Sequence, residues 1–321
     1  MEKIRVEPMQ ITQFLLLLHS VAGIGDKTLS HILRYMEQHH LSPKEVLVFP
    51  ARKWREELLV SGASCKILFE TREALLEQSR QLESLRRRRD VYMLYQGSAA
   101  YPAQLDQYEE APPPIIYARG NLALLEEQRS FTFTVVASNK PTPHHLEQLY
   151  TRTKQLSQEG GTVVTGHDRL PYQRAALAAH SIARPILYVF DRGLREALGA
   201  DFSITPFAAA RIHEVEFNTE VDLGLSPFRL DDHALAFNLK RRDRLIFSLA
   251  DLIIVQDVKS NGVMFGECRR ALLQNRPVYV APDGRDGNAL LLEEGACPLP
   301  QGEDWVAQIF EQLLQNDEAR A

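Results

Sequence analysis

Residues Phe131–Arg169, FTFTVVASNKPTPHHLEQLYTRTKQLSQEGGTVVTGHDR, decide the fold. Phe131–Ala137 is a short apolar run rich in β-branched residues, followed by the polar Ser138-Asn139-Lys140. Such a run reads as a strand buried on both faces. His144–Gln158 then carries apolar residues at helical spacing, and Gly160-Gly161 stops it, as glycine past a helix end does. Thr162–Thr165 is a second apolar run. Strand, helix and strand in this order form a β-α-β unit, which requires a parallel sheet.

The same grammar continues toward the C-terminus. Helices are expected over Pro171–Ser181, Ala234–Leu249, Gly262–Gln274, Asn288–Glu294 and Asp304–Leu314. Strands are expected over Pro185–Phe190, Leu252–Gln256 and Pro277–Ala281, with His213–Phe217 as a further candidate. The expected fold class is therefore α/β: a Rossmann-like, mostly parallel sheet with helices on both faces.

Toward the N-terminus the pattern is different. Residues 1–88 show helical spacing through Ile11–Leu18, Leu29–Met36, Trp54–Leu59 and Ile67–Leu76. The Leu15–Leu18 run is too short to span a membrane and reads as core. The charged run Leu85–Asp90 marks a boundary. The expected domains are a small all-α helix-hairpin-helix or SAM-like domain, 1–88, and an α/β domain, 89–321. The second begins with the strand Val91–Tyr95 and a proline-rich loop, Ala111–Pro114, that feeds Ile115–Ala118. Proline is excluded from helix interiors and central strands, so that stretch is a connection.

Composition narrows the function classes. The 321 residues are 45% hydrophobic and 25% charged, as expected of a globular chain. Cys65, Cys268 and Cys297 are far apart and fit neither a zinc cluster nor a disulfide framework. The start, MEKIRVEPMQ, lacks signal-peptide features, and no stretch has the length of a membrane span. A cytoplasmic protein without membrane contact is expected. The ten histidines form no metal-ligand pattern, and no GxSxG, HExxH, Walker A or GxGxxG motif occurs. Neither a metal nor a cofactor is expected. The net charge of −5 argues against nucleic-acid binding by the whole surface and leaves local basic patches open.

In a doubly wound sheet, ligands bind beyond the carboxyl ends of the strands. The residues there are Ala137–Lys140, Thr165–Arg169, Lys259–Gly262 and Pro282–Gly284, all polar or glycine-containing. Together with Tyr101–Leu105 and Ile115–Leu125 ahead of them, Glu159–Gly166, Arg241–Ile246, Ser260–Met264 and the closing Gly287–Ala296, they follow a recognisable order. In that order the chain resembles the DNA-processing protein A (DprA/Smf) family over nearly its whole length. Val136–Lys140 stands where the family has Val-Gly-Ser/Thr-Arg-Lys, so Ala137 and Asn139 replace its glycine and arginine. Asp168–Tyr172 stands where the family has Ala-Arg-Gly-Ile-Asp, keeping only Arg169. The resemblance implies a divergent member without the C-terminal winged helix of many relatives. It implies a non-enzymatic, single-stranded-DNA-binding function in DNA processing and recombination, of the kind used in natural transformation or DNA uptake. A RecA-type recombinase and a second copy of the chain are the implied protein partners.

The cluster Lys240, Arg241, Arg242 and Arg244 is the leading phosphate-binding candidate, because several cations at one helix start can neutralise adjacent phosphates. Lys240 and Arg244 share a helical face, whereas Leu245 and Ile246 turn inward. Arg169, Arg174 and Lys140 are expected to join them, with Ser260 and Asn261 as further contacts or as a helix cap. In the N-terminal segment Gly23-Ile24-Gly25 leads into a helix, and Lys27 sits where a helix-hairpin-helix lysine would meet a phosphate. Arg86–Arg89 reads as solvated or as interdomain contacts, and Tyr172 and Phe237 are candidate stacking surfaces, core or lid. Three other functions remain open on sequence: a nucleotide sensor, a protein-interaction scaffold, and a nucleotide-cleaving enzyme resembling the lysine-decarboxylase-like group, which would retain Glu267 but lacks that group's glycine run.

Overall fold

The computed structural model describes residues 9–126, 129–207 and 215–320, and they form two compact units. The first comprises residues up to Tyr101 together with Ala111–Ala118. Its helices are α1 (Ile11–Ser20), α2 (Asp26–Gln38), α3 (Pro43–Leu47), α4 (Ala51–Glu56), α5 (Gly62–Glu70) and α6 (Arg72–Arg88). Leu15, Leu16, Leu17 and Leu18 are all at most 2% exposed, so the leucine run is core. β1 (Val91–Tyr95) and Ile115–Ala118 of β2 (Ile115–Gly120) also belong here as neighbouring strands. The expected boundary at residue 88 coincides with the end of α6, and the first unit extends past it.

The second unit holds Pro102–Glu110 and the chain from Arg119 onward. Its helices are α7 (Ala103–Tyr108), α8 (Pro143–Gln158), α9 (Leu170–His180), α10 (Leu194–Leu198), α11 (Ala236–Leu249), α12 (Val263–Leu273), α13 (Asp286–Glu293) and α14 (Trp305–Arg320). Its strands are β3 (Thr132–Ala137), β4 (Thr162–Thr165), β5 (Ile186–Val189), β6 (Leu223–Ser226), β7 (Leu252–Asp257), β8 (Val278–Val280) and β9 (Cys297–Pro298). They lie in the order β6-β5-β4-β3-β7-β8-β9, and the pairs from β5·β6 through β8·β9 are parallel. β3 through β6 step one way from the centre, and β7 to β9 step the other. The order therefore reverses beside β3, which is where a doubly wound sheet opens a crevice. Every residue of β3 and β7 is buried. Ile253 and Val255 face a core layer with Met264, Cys268 and Leu291, so the alternating Leu252 and Ile254 face the opposite layer.

The candidate strand at His213–Phe217 is corrected. Residues 213 and 214 lie outside the described residues, and Val215–Phe217 is irregular. The strand that pairs with β5 is β6. Its Gly224 lies close under the Phe190 ring, which would have to shift for a Cβ that came within 2.8 Å of it. A glycine at its centre also hid it from a reading based on β-branched runs. No helix among the described residues is long and apolar enough to cross a membrane.

Candidate nucleic-acid interface

The loops after β3 and β7 meet at the reversal point. The Ser138 N–H donates to the Asp257 carbonyl at 2.7 Å, and the Lys259 N–H donates to Ser138 Oγ at 3.0 Å. Asn288 secures the neighbouring loop: its Oδ1 accepts from Val258 N at 2.8 Å, while its Nδ2 donates to the carbonyls of Gln256 and Ala281 at 3.1 and 2.7 Å. Gly287 permits this approach, because a Cβ would stand 2.7 Å from the Val258 carbonyl. Asp257 is fully buried and holds Arg285 by an ion pair at 3.1 Å. Arg285 in turn donates to the Lys140 carbonyl at 2.6 Å, which holds a backbone turned to φ 60°. The Lys140 and Lys259 side chains project from this frame into solvent.

The loops after β4 and β5 are built from charge. Arg242 is fully buried. Its Nε donates to Asp243 at 2.8 Å, its Nη1 meets Asp168, and its guanidinium lies 4.9 Å over the Tyr172 ring. The Tyr172 hydroxyl donates to Asp243 Oδ1 at 2.7 Å, and Arg169 reaches Asp243 Oδ2 at 3.6 Å. Burial alone would push the Arg242 guanidinium down, but Tyr172, Asp243 and Asp168 outweigh it and hold it above its ordinary value. Beside them His167 lies 3.7 Å from Asp191 and edge-on to Phe190. Burial pushes His167 down to about 4, more than Asp191 and Asp168 raise it. Its ring is therefore neutral at physiological pH.

The candidate residues separate accordingly. Arg242 is corrected from a phosphate contact to a buried support, since it presents no surface to a ligand. Tyr172, 3% exposed, is part of that support and is no stacking surface. Lys240 is exposed and Arg241 half-buried over the Phe228 ring at 5.6 Å, so both remain at the rim, with Arg169. Arg244 pairs with Glu267 at 3.4 Å, and Arg174 pairs with Glu147 at 2.6 Å while covering Tyr150, so both are engaged along helix faces. Ser260 bonds Asp286 instead of capping α12, and Asn261 is exposed. Gly23, Gly25 and Lys27 lie in the first unit. Gly23 has φ +83° and fits closely against Ser64, Gly25 is extended, and Lys27 is exposed. Phe237 is 71% exposed, one turn before Lys240 and Arg241.

Two rim cations are absent from the sequence-based candidates, Arg192 and Arg285, while Lys259 is placed at a strand end without being named a phosphate contact. Each is a single cation in the loop after a strand, two to five residues past its end, and that position is the signal a search for clusters overlooks.

The model of the family described as DNA recombination-mediator protein A matches residues 92–310. The chain belongs to this family. DNA processing protein DprA of Streptococcus pneumoniae is 26% identical over 213 residues, covering 65% of this chain and 71% of that protein. The X-ray structure of the Streptococcus pneumoniae protein superposes with a TM-score of 0.70 at 20% identity, covering 93% of this chain and 98% of the other. A Helicobacter pylori DNA processing protein A, whose structure concerns a single-stranded DNA binding mode, superposes with a TM-score of 0.55 at 20% identity, covering 70% and 96%. In this member of the DNA recombination-mediator protein A family the β4 loop is held by the ion network of Asp168, Arg169, Arg242 and Asp243.

Proposed function

We propose that this chain binds single-stranded DNA along the strand-end rim of its second unit and acts without catalysing a reaction. In this reading residues 89–321 are the DNA-holding domain and residues 1–88 an accessory helical domain. The observation that carries it is the start of α11. There Lys240 and Arg241 stand at the rim one turn after the exposed ring of Phe237. Cations that track a backbone beside an aromatic surface for bases are the two components of single-strand binding. The exposed Lys140 and Lys259 extend the positive rim, with Asn261 beside them, and Arg169, Arg192 and Arg285, each already held by an aspartate, line it. Lys27 with its Gly23–Gly25 turn is a second, weaker phosphate contact. Family membership and the single-stranded DNA named for the Helicobacter pylori relative support the same ligand.

The bound strand would be handed to a RecA-type recombinase in the cytoplasm by a dimer of this chain, during natural transformation or DNA uptake. The test is fluorescence anisotropy with a labelled single strand and its duplex at low salt. Replacing Lys240 and Arg241 together by Glu is expected to weaken single-strand binding by at least about tenfold, since charge reversal both removes and repels phosphate contacts. Single-strand affinity unchanged in that variant would refute the reading. Co-purification of a recombinase with the wild-type chain after nuclease treatment tests the partner.

A further inference from the structure

A groove of about 280 Å³ lies between the outer face of α8 and the segment that enters α14, lined by His144, Arg152, Gln155, Pro300, Gln301 and Trp305 among others. None of the rim cations lines it. Arg152 is half-buried there, and its hydrogen-bond partner is the neutral amide oxygen of Gln256. Gln256 is held from behind by Gln148, which donates to Asp283 at 3.0 Å. Among the described residues no carboxylate lies within ion-pair distance of Arg152. Glu147, which also lines the groove, is already paired with Arg174 at 2.6 Å. Burial holds the Arg152 guanidinium below its ordinary value, and Asp283 is the acid that opposes this at longer range. A partly desolvated cation facing a cavity without a counter-ion is costly unless an anion arrives.

The donors present define that anion. Trp305 Nε1 donates to Gln155 Oε1 at 2.9 Å. That bond orients the amide and leaves the Gln155 N–H₂ without a protein partner. Arg152 and Gln155 both line this one groove, and so does His144. Several N–H donors around one cation match a tetrahedral oxyanion, and guanidinium binds phosphate in a fork. Pro300 and Trp305 supply an apolar wall for whatever the phosphate carries. The volume is near the lower end of small-molecule sites.

We propose that this groove binds a phosphate monoester of nucleotide size, with Arg152 and Gln155 on the phosphate and Pro300 and Trp305 against the attached nucleoside. The site is independent of the DNA-binding rim. Two sources supply this chemistry: a free mononucleotide, or the terminal phosphate of a DNA strand.

Tryptophan emission tests it on the full chain. The chain has two tryptophans, and Trp54 is fully buried in the first unit, so a ligand-dependent change reports Trp305. Each of the four deoxynucleoside monophosphates is titrated, with the matching nucleosides as controls and a Trp305→Phe protein to remove absorption artefacts. The expected result is a saturable change with at least one monophosphate and none with its nucleoside. Arg152→Gln should weaken it by at least about tenfold, the loss typical of one charge-assisted contact. Gln155→Glu, which sets a carboxylate beside Arg152, should weaken it similarly and covers the case in which Arg152→Gln does not fold. The Lys240→Glu, Arg241→Glu protein should titrate like wild type. No saturable change with any monophosphate, or variants at Arg152 and Gln155 that titrate like wild type, would overturn the proposal. Competition by a 5′-phosphorylated oligonucleotide but not by its 5′-hydroxyl counterpart would identify the strand end as the source, and lack of competition would identify the free nucleotide.

Discussion

The two halves of the strand-end rim are built by different physics. On the β3, β7 and β8 side, small polar side chains bind backbone groups: Ser138 and Asn288 accept from or donate to four main-chain atoms between them. On the β4 and β5 side, Asp168, Arg169, Arg242 and Asp243 bind one another. The first arrangement tolerates little change, because Gly287 and Asn288 are set by sterics and by donor geometry. Ala137 and the exposed Asn139 beside it have side chains that make none of these bonds. The second arrangement is set by charge balance, which different residues can satisfy.

The most damaging change should be in the charge-built half. Arg242→Met leaves Asp168 and the buried Asp243 with only the longer ion pairs to Arg169, at 3.8 and 3.6 Å. Breaking a buried pair from one side costs about 3–5 kcal/mol, which urea unfolding would show as a lower midpoint at unchanged slope. Arg242→Lys keeps the charge and loses the fork, so it should fall between. A loss below ~1 kcal/mol for Arg242→Met, the range of exposed pairs, would mean that the network is not what holds this half.

Acid should separate the halves next. His167 has its folded pKa depressed to about 4, below its ordinary 6.5. The unfolded chain takes up that proton first. The His167 contribution is therefore complete above pH 6.5 and is lost as pH falls toward 4. At ~1.4 kcal/mol per pKa unit this amounts to roughly 3 kcal/mol at full protonation. Asp222 acts in the opposite sense. Burial raises its carboxyl to about 6, so its charge is a burden at neutral pH that is relieved as pH falls from 6 toward its unfolded value. The readout is accordingly the difference between wild type and His167→Asn across pH 6.5 to 4. That difference should shrink as pH falls, and a constant difference would show that the imidazole is not held neutral by its surroundings.

The backbone-built half should respond through sterics instead. Gly287→Ala drives a methyl to 2.7 Å from the Val258 carbonyl and 2.8 Å from the Lys259 carbonyl carbon. Overpacking of this kind costs about 1–3 kcal/mol. Asn288→Ala strands the Val258 N–H, a cost of similar size at about 1–3 kcal/mol. Because the two halves share none of these hydrogen-bonding residues, Asn288→Ala and Arg242→Met should add to within ~0.5 kcal/mol. A larger coupling energy, measured by the double-mutant cycle, would join the halves into one unit.

The same contrast explains what was legible in the sequence. The β-α-β alternation from Phe131 onward could be read because each buried strand is a short apolar run. β6 could not, since Gly224 makes way for Phe190, and α7, α10 and β9 are too short for a period to show. At the site, the cluster Lys240–Arg244 was visible as charge, but its division was not. Helical spacing holds the missing signal: Arg242 precedes the inward-turning Leu245 and Ile246 by three and four residues and so shares their face. Asp243 gave no warning at all, because its partners Tyr172 and Arg169 come from another loop. Isolated cations such as Arg192 and Arg285 gain meaning only once the sheet order places their loops together.

The smallest effects should come from single rim cations, and they bear most directly on whether both halves hold one DNA strand. Arg169 stands on the charge-built half and Lys259 on the other. Each phosphate released from a single strand lowers the slope of log affinity against log salt by ~0.7. If one strand spans the rim, Arg169→Gln and Lys259→Gln should each reduce the slope by that amount, and the double variant by about twice as much. If Arg169→Gln alone changes it, DNA lies only over β4, β5 and α11, and Lys259 is a solvated side chain. Arg169 also touches Asp243, so its variant must be checked for stability first; Lys259 carries no such contact, and its slope change reads phosphate binding alone.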